Sequence, residues 1–104
     1  MSDHPSIEVI QRMCAAEFGV RLPDILSARR DTRTVIARHV AVLLTRDMTP
    51  ASLPAIGRRF GDRDHTTIMA ALRSIRARIE ADTVLAQSVA DLRRALTHAK
   101  AEAA

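Results

Sequence analysis

Hydrophobic positions along this chain recur at the three- and four-residue intervals of an α-helix, and no segment alternates as a half-buried strand would. Two stripes show the pattern most clearly: Ile68, Leu72, Ile75 and Ile79, then Leu85, Val89, Leu92 and Leu96. The second stripe either closes the core of its own domain or binds a partner, and closing the core is the commoner arrangement. The sequence therefore predicts an all-α fold.

Proline and polar residues set the limits of the helices in the N-terminal half. Pro5 suits the first turn of a helix that ends near Phe18. The apolar face of that helix is expected to contain Ile7, Val9, Ile10, Met13, Cys14 and Ala16. Residues 22–26 predict a short turn of helix, residues 29–33 an exposed polar loop, and residues 34–47 a longer helix.

Capping residues set the limits of the helices in the C-terminal half. Ser52 can cap a short helix that has Pro54 in its first turn, and Gly61 can end that helix. Asp64 and Asp82 stand where they can cap the two helices that follow. These signals predict a short helix, a tight turn and a long helix in succession.

Length and composition predict a single domain. At 104 residues, 47% hydrophobic and 27% charged, the chain can form one globular domain but not two. We expect this domain to span residues 1–98 and a frayed tail to span residues 99–104. Two Phe without Tyr or Trp predict an aliphatic core. Because Cys14 is the only cysteine and neither a signal-peptide pattern nor a membrane-length apolar run occurs, a cytoplasmic location is expected.

The charge distribution indicates a polyanionic partner. The net charge is +4, but residues 29–63 alone carry eight Arg against three Asp. Fifteen of the sixteen basic residues are Arg, whose planar group can bind phosphate or guanine through two donors at once. An Arg-rich proteome would produce the same preference without any such partner, so charge alone leaves nucleic acid and a solvated basic face both open.

Residues 52–80 have the outline of a helix-turn-helix, whose second helix places its N-terminal residues in the DNA major groove. Asp64, His65, Thr66 and Thr67 precede the buried stripe, which begins at Ile68, so all four can face outward. Asp accepts from the cytosine amino group, His donates or accepts, and the Thr methyl packs on the thymine methyl. The same residues also make an ordinary capping pattern, and spacing alone leaves base recognition and capping both open.

Residues 60–67 read Phe-Gly-Asp-Arg-Asp-His-Thr-Thr. This octapeptide resembles the Phe-Gly-Gly-Arg-Asp-His-Thr-Thr signature of the C-terminal DNA-binding domain (domain IV) of DnaA, the bacterial replication initiator. Residues 24–30, 37–41 and 52–59 resemble the same family, and the likeness covers about residues 5–96. It implies a compact, Trp-repressor-like helical domain that binds a short, asymmetric DnaA box in double-stranded DNA.

The resemblance also implies which residues contact DNA. Asp64, His65 and Thr66 would read bases in the major groove, and Thr67 and Arg63 would read bases or hold phosphate. Arg30 matches an arginine that enters the adjacent minor groove. The positions that match those along the phosphate backbone are Arg38, His39, Arg46, Leu53 and Pro54.

The sequence departs from the family pattern near these positions. Asp62 replaces the second glycine of the turn, and Asp31 and Thr32 interrupt a loop that is often more basic. His39 stands where glutamine is usual. Each change can weaken phosphate contact or alter the preferred box.

These observations favour a stand-alone DNA-binding regulator that recognises DnaA-box-like sites. The chain has three glycines and no phosphate-binding loop, so ATP hydrolysis is not expected. Transcription control, as by the activators of phage-derived gene transfer agents, is the leading expectation, with RNA polymerase or another regulatory protein as a further partner. The alternatives are an origin-binding module or fragment of DnaA, a competitor of DnaA at origin boxes, and a protein-interaction module that does not bind DNA. A monomer or weak dimer is expected.

Other chemistry finds little support in the sequence. The four histidines are scattered and a single cysteine accompanies them, so no metal site is expected. No catalytic arrangement and no cofactor motif stands out, and the chain is not expected to be an enzyme. Two Phe that are expected to be buried would not offer the aromatic platforms of a single-strand binder.

Overall fold

The computed structural model describes the backbone of residues 4–103 and the side chains of residues 4–98. Within this range the chain forms six α-helices: α1 (Ile7–Phe18), α2 (Leu22–Leu26), α3 (Thr32–Met48), α4 (Leu53–Arg59), α5 (His65–Ala81) and α6 (Thr83–Ala103). The predicted all-α fold is confirmed. Side chains of the predicted frayed tail, residues 99–104, lie outside the described residues.

Helix α3 runs through the centre of the fold, and every residue from Val40 to Thr45 is buried. Helices α1 and α5 both pack against α3, and Ile10, Cys14 and Ile68 are buried in the core that these helices share. Burial raises the pKa of the Cys14 thiol to about 12, so the side chain behaves as a small apolar group. The buried core is aliphatic apart from Phe60 and Cys14, and Phe18 packs against it while only partly buried.

Helix α6 closes this core. The stripe predicted for it is buried in full: Leu85, Val89, Leu92 and Leu96. An ion pair from Arg93 to Asp47, 2.8 Å long, further ties α6 to α3. The stripe is therefore occupied by the domain itself and is not left open for a partner helix.

Several helix limits follow the predicted caps. The Ser52 hydroxyl accepts from the Ala55 amide, and Asp82 accepts from the Leu85 amide. The start of α3 differs, because Asp31 caps it by accepting from the Thr34 amide and hydroxyl, so the helix begins two residues earlier than predicted.

The prediction for Pro5 is wrong in position, and the predicted face of α1 is too wide. Pro5 is buried just before the cap residue Ser6, whose hydroxyl accepts from the Val9 amide. Val9 and Ala16 lie on the exposed side of α1. None of the helices in the described part of the chain has the length and apolar character of a membrane span.

Candidate nucleic-acid interface

Helices α4 and α5 form the helix-turn-helix, and Gly57 makes their close approach possible. The Arg63 amide, in the turn, donates to the Gly57 carbonyl at 2.8 Å. A Cβ at position 57 would lie 2.0 Å from the Arg63 carbonyl oxygen, so no larger residue fits without moving the turn. The turn thus packs directly on the backbone of α4.

Two consecutive residues in the turn adopt the left-handed conformation. Gly61 has φ 82°, and a Cβ there would lie 2.4 Å from the Leu26 carbonyl oxygen at the end of α2. Asp62 follows with φ 57°, a region that costs an L-residue energy, although Asp tolerates it better than most. Asp62, where the sequence lacks the family's glycine, therefore carries both a strained backbone and an added negative charge.

The first turn of α5 shows how capping and base recognition can share one carboxylate. One oxygen of Asp64, Oδ1, accepts from the Thr66 amide at 2.8 Å and from the Thr66 hydroxyl at 3.1 Å. The His65 Nδ1 lies 3.1 Å from the same oxygen. The hydrogen bonds from Thr66, and to a smaller degree the electrostatic interaction with His65, hold the pKa of the Asp64 carboxyl below its ordinary value.

These contacts leave polar atoms free at the tip of α5. The second carboxylate oxygen of Asp64 and the Nε2 of His65 have no hydrogen-bond partner among the described residues. The side chains of Asp64 and His65 are 65% and 55% exposed, and Thr66 and Thr67 are exposed as well. The Nε2 of His65 can therefore donate to or accept from a partner outside the protein.

The side chains of Arg30 and Arg46 are exposed and form no ion pair or hydrogen bond with described residues. Arg29, in contrast, contacts Asp31 at 2.9 Å and Asp24 at 3.6 Å. Both arginines of the α2–α3 loop (residues 27–31) are thus exposed, but Arg29 is paired with carboxylates of the protein and Arg30 is not. A cavity of about 330 Å³ separates this loop from α5, and its lining includes Arg30, Arg38, His39, Arg63 and Thr67.

Arg38 lies in the interior, which corrects the expectation that it lines the phosphate backbone. Its side chain is only 5% exposed. Nε donates to the Ile25 carbonyl at 2.7 Å, and Nη2 lies within 2.9–3.1 Å of the carbonyl oxygens of Asp24, Ser27 and Arg29. Burial, and next the nearby Arg63, lower its pKa. The guanidinium thus supports the α2–α3 loop from inside.

Arg63 is likewise not a freely exposed side chain of the kind that contacts phosphate. Its Nη1 donates to the Phe60 carbonyl, and its Nη2 donates to the Ser27 carbonyl at 2.7 Å. Burial lowers the pKa of this half-buried side chain. Arg63 thereby joins the turn of the helix-turn-helix to the start of the α2–α3 loop.

His39 is half-buried on α3 and lines the same cavity. Burial lowers its pKa to about 4, and the nearby Arg38, Arg63 and Arg78 act in the same direction. The imidazole is therefore neutral at pH 7, so it can offer a hydrogen bond but no charge.

Leu53 and Pro54 form the first turn of α4, as predicted. Leu53 is half-buried against the core, and Pro54 is exposed. Sequence reasoning missed Gln11, which is buried on α1 and donates to the Arg59 carbonyl at 2.7 Å. A polar residue within an apolar face was the only signal for that contact. Within residues 4–98, no group of three metal-ligating side chains comes together.

The short α4, the glycine turn and the exposed polar tip of α5 define the class of protein as a DNA-binding helix-turn-helix domain. Residues 7–75 match the model of the bacterial DnaA protein helix-turn-helix family. The chain belongs to this family, which is a non-catalytic DNA-binding module, and the resemblance stated from residues 60–67 is confirmed.

Curated relatives agree with this assignment. The chain is 53% identical over 89 residues to the chromosomal replication initiator protein DnaA of Brucella abortus, a match that covers 85% of this chain and 18% of the relative. It is 47% identical over 90 residues to the protein of the same name from Rhodopseudomonas palustris, covering 86% and 19%. The chain thus spans about a fifth of the length of the curated relatives it matches.

Proposed function

We propose that this protein binds specific sequences of double-stranded DNA, with the first turn of α5 in the major groove. One observation carries the proposal: Asp64 caps α5 through one oxygen and keeps the other oxygen free, next to the free Nε2 of His65. A recognition residue must be rigid and still have an unsatisfied donor or acceptor. The cap supplies rigidity without using up the acceptor.

The remaining contacts follow from where the side chains lie. Thr66 is fixed beside Asp64 and offers its methyl group, while Thr67 lies at the cavity toward the α2–α3 loop and is suited to phosphate. Arg30 projects from that loop and would enter the neighbouring minor groove. Exposed Arg46 would contact phosphate.

Three positions supply contacts of other kinds. The first turn of α4, at Leu53 and Pro54, would pack against the backbone of the duplex, without an amide from Pro54, which has none, or from Ala55, which donates to the Ser52 hydroxyl. His39 would add a neutral hydrogen bond at the cavity. Arg38 and Arg63 are left out of the direct contacts because backbone carbonyls already accept from two nitrogens of each guanidinium.

The biological role that we propose is regulation of transcription through occupancy of DnaA-box-like sites. A domain of this size would act in the cytoplasm at the nucleoid, either by blocking a promoter or by recruiting RNA polymerase or another regulatory protein. An activator of the gene-transfer-agent type is one form of this role. Binding as a monomer or weak dimer fits a single recognition helix that reads an asymmetric site.

A second role is favoured by the relatives, which carry the name chromosomal replication initiator. In that role the domain would bind origin boxes, either as the DNA-binding module of such a protein or in competition with one. Both roles need the same interface and differ in which genomic sites are bound. Chromatin immunoprecipitation with sequencing separates them, since promoters dominate in the first and the origin in the second.

Selection from a randomised duplex pool, followed by fluorescence anisotropy, tests the DNA interface itself. We expect one short motif to emerge and to bind far more tightly than its scrambled version. Affinity should fall by roughly 10³-fold or more between 50 and 200 mM salt if several phosphates are contacted. Absence of duplex binding would refute the proposal and favour a protein-interaction module.

A further inference from the structure

The Ser27 carbonyl oxygen is the point at which two parts of the proposed interface meet. It accepts from Arg38 Nη2 at 2.9 Å and from Arg63 Nη2 at 2.7 Å. Ser27 begins the loop that presents Arg30, whereas Arg63 directly precedes the cap of α5. One backbone oxygen therefore joins the loop to the recognition helix.

Two further contacts make this junction close and rigid. The turn residue Gly61 approaches the Leu26 carbonyl so closely that a Cβ would lie 2.4 Å from it. Within the loop, Arg38 also donates to the carbonyl of Arg29 at 3.1 Å, and Arg29 directly precedes Arg30. The backbone on the N-terminal side of Arg30 is thus fixed from the interior before any DNA is bound.

We infer that Arg63 is a positioning residue, which acts through the Ser27 carbonyl to fix the distance between Arg30 and the first turn of α5. This inference rests on the proposed function, in which those two parts enter neighbouring grooves of one duplex. Holding both parts in place before binding removes an ordering cost from association. It also sets the number of base pairs between the two contacts, because each base pair advances about 3.4 Å along the helix.

The substitution Arg63→Lys tests this role while the charge is kept. A lysine has a single flexible amine and lacks the planar fork that reaches both the Phe60 and Ser27 carbonyls. Arg46→Lys is the matched control, since the Arg46 side chain is exposed and forms no hydrogen bond or ion pair with a described residue. Both variants should be folded at the assay temperature by circular dichroism.

A double-mutant cycle gives the first readout. We expect Arg30→Ala to weaken binding to the selected motif about 10-fold or more in the otherwise unchanged protein. When Arg63→Lys is present, the factor by which Arg30→Ala weakens binding should be at least threefold smaller. With Arg46→Lys the two effects should multiply within about twofold, as for independent sites. If the effects of Arg30→Ala and Arg63→Lys on affinity also multiply as independent factors, the inference is overturned.

Base-pair spacing gives a second readout, which a general loss of stability would not change. One base pair is inserted between the segments that chemical footprinting assigns to the minor-groove and major-groove contacts. The insertion should weaken binding of the unchanged protein about 10-fold and binding of Arg63→Lys less than threefold. Equal penalties in both proteins would overturn the inference and leave the proposed function standing, whereas absence of duplex binding by the unchanged protein would refute both.

If Arg63→Lys does not fold, the unchanged protein still provides the test. Nuclear magnetic resonance should show slow rotation of the Arg63 guanidinium in the free protein, and the same resonances should persist when DNA is added. A guanidinium that rotates freely, or that changes partner on binding, would overturn the inference.

Discussion

Gly57→Ala should destabilise the protein even though alanine is the better helix former. The added Cβ would lie 2.0 Å from the Arg63 carbonyl oxygen, whereas an ordinary contact is 3.4–4 Å, so the turn must move by more than an ångström. That movement breaks the Arg63–Gly57 hydrogen bond and overpacks a backbone contact, which together cost about 2–4 kcal/mol. Helix propensity offsets about 1 kcal/mol. The net loss should be about 2 kcal/mol.

Urea denaturation and thermal melting measure this loss. A decrease in Tm of roughly 10 °C is expected for a domain of this size. Ala55→Gly, in the same helix, isolates the propensity difference and should cost about 1 kcal/mol. If Gly57→Ala is as stable as the unchanged protein or more stable, the turn does not pack on α4 as described.

The remaining predictions concern recognition, the turn and pH. His65→Ala should weaken binding to the selected motif by about 1–3 kcal/mol and leave binding to scrambled DNA nearly unchanged, whereas Arg46→Ala should weaken both alike; anisotropy measures this, and equal losses for His65→Ala would argue against base reading. Asp62→Gly should raise the free energy of unfolding by about 1 kcal/mol and tighten DNA binding at low salt, because it removes a left-handed non-glycine residue and a negative charge; unchanged urea midpoints and affinities would contradict this. The folded-state pKa of His39 is lowered from 6.5 to about 4, because the folded protein favours the neutral imidazole. The resulting contribution to the free energy of unfolding is complete above about pH 6.5 and is lost as the pH falls toward 4. In urea titrations, the drop in the free energy of unfolding on acidification should be smaller by about 1–2 kcal/mol in His39→Gln than in the unchanged protein. This difference is less than the full pKa shift would give, because the side chain is partly exposed. Identical pH profiles would refute the prediction.

The site could be predicted from the sequence to the extent that it depends on local signals. Asp64 is a cap because an acceptor there satisfies free amides of the next turn, and that rule needs no tertiary information. The outward direction of His65, Thr66 and Thr67 followed from the start of the buried stripe at Ile68. The family signature then supplied the chemistry that spacing alone left open.

Arginine roles could not be predicted in the same way. In the sequence, Arg30, Arg38 and Arg63 are equivalent basic residues. In the structure Arg30 is exposed, whereas Arg38 and Arg63 donate to backbone carbonyls. The partners of Arg38 are 9–14 residues away in the chain, and the Ser27 carbonyl is 36 residues from Arg63, so no local pattern reports these contacts. The low pKa of His39 has the same origin, since it depends on burial between elements that meet only in the folded state.

The sequence by itself determined the helices, most of their caps and the polar tip of α5, because these depend on hydrogen bonds and periodicity within a few residues. Only the tertiary structure decided which arginines remain free for DNA, because that depends on which carbonyl oxygens the fold brings to each guanidinium. The Ser27 carbonyl illustrates the difference. Every residue has a carbonyl oxygen that can accept a hydrogen bond, but Arg38 and Arg63 reach this one only once α2, α3 and the turn have packed together.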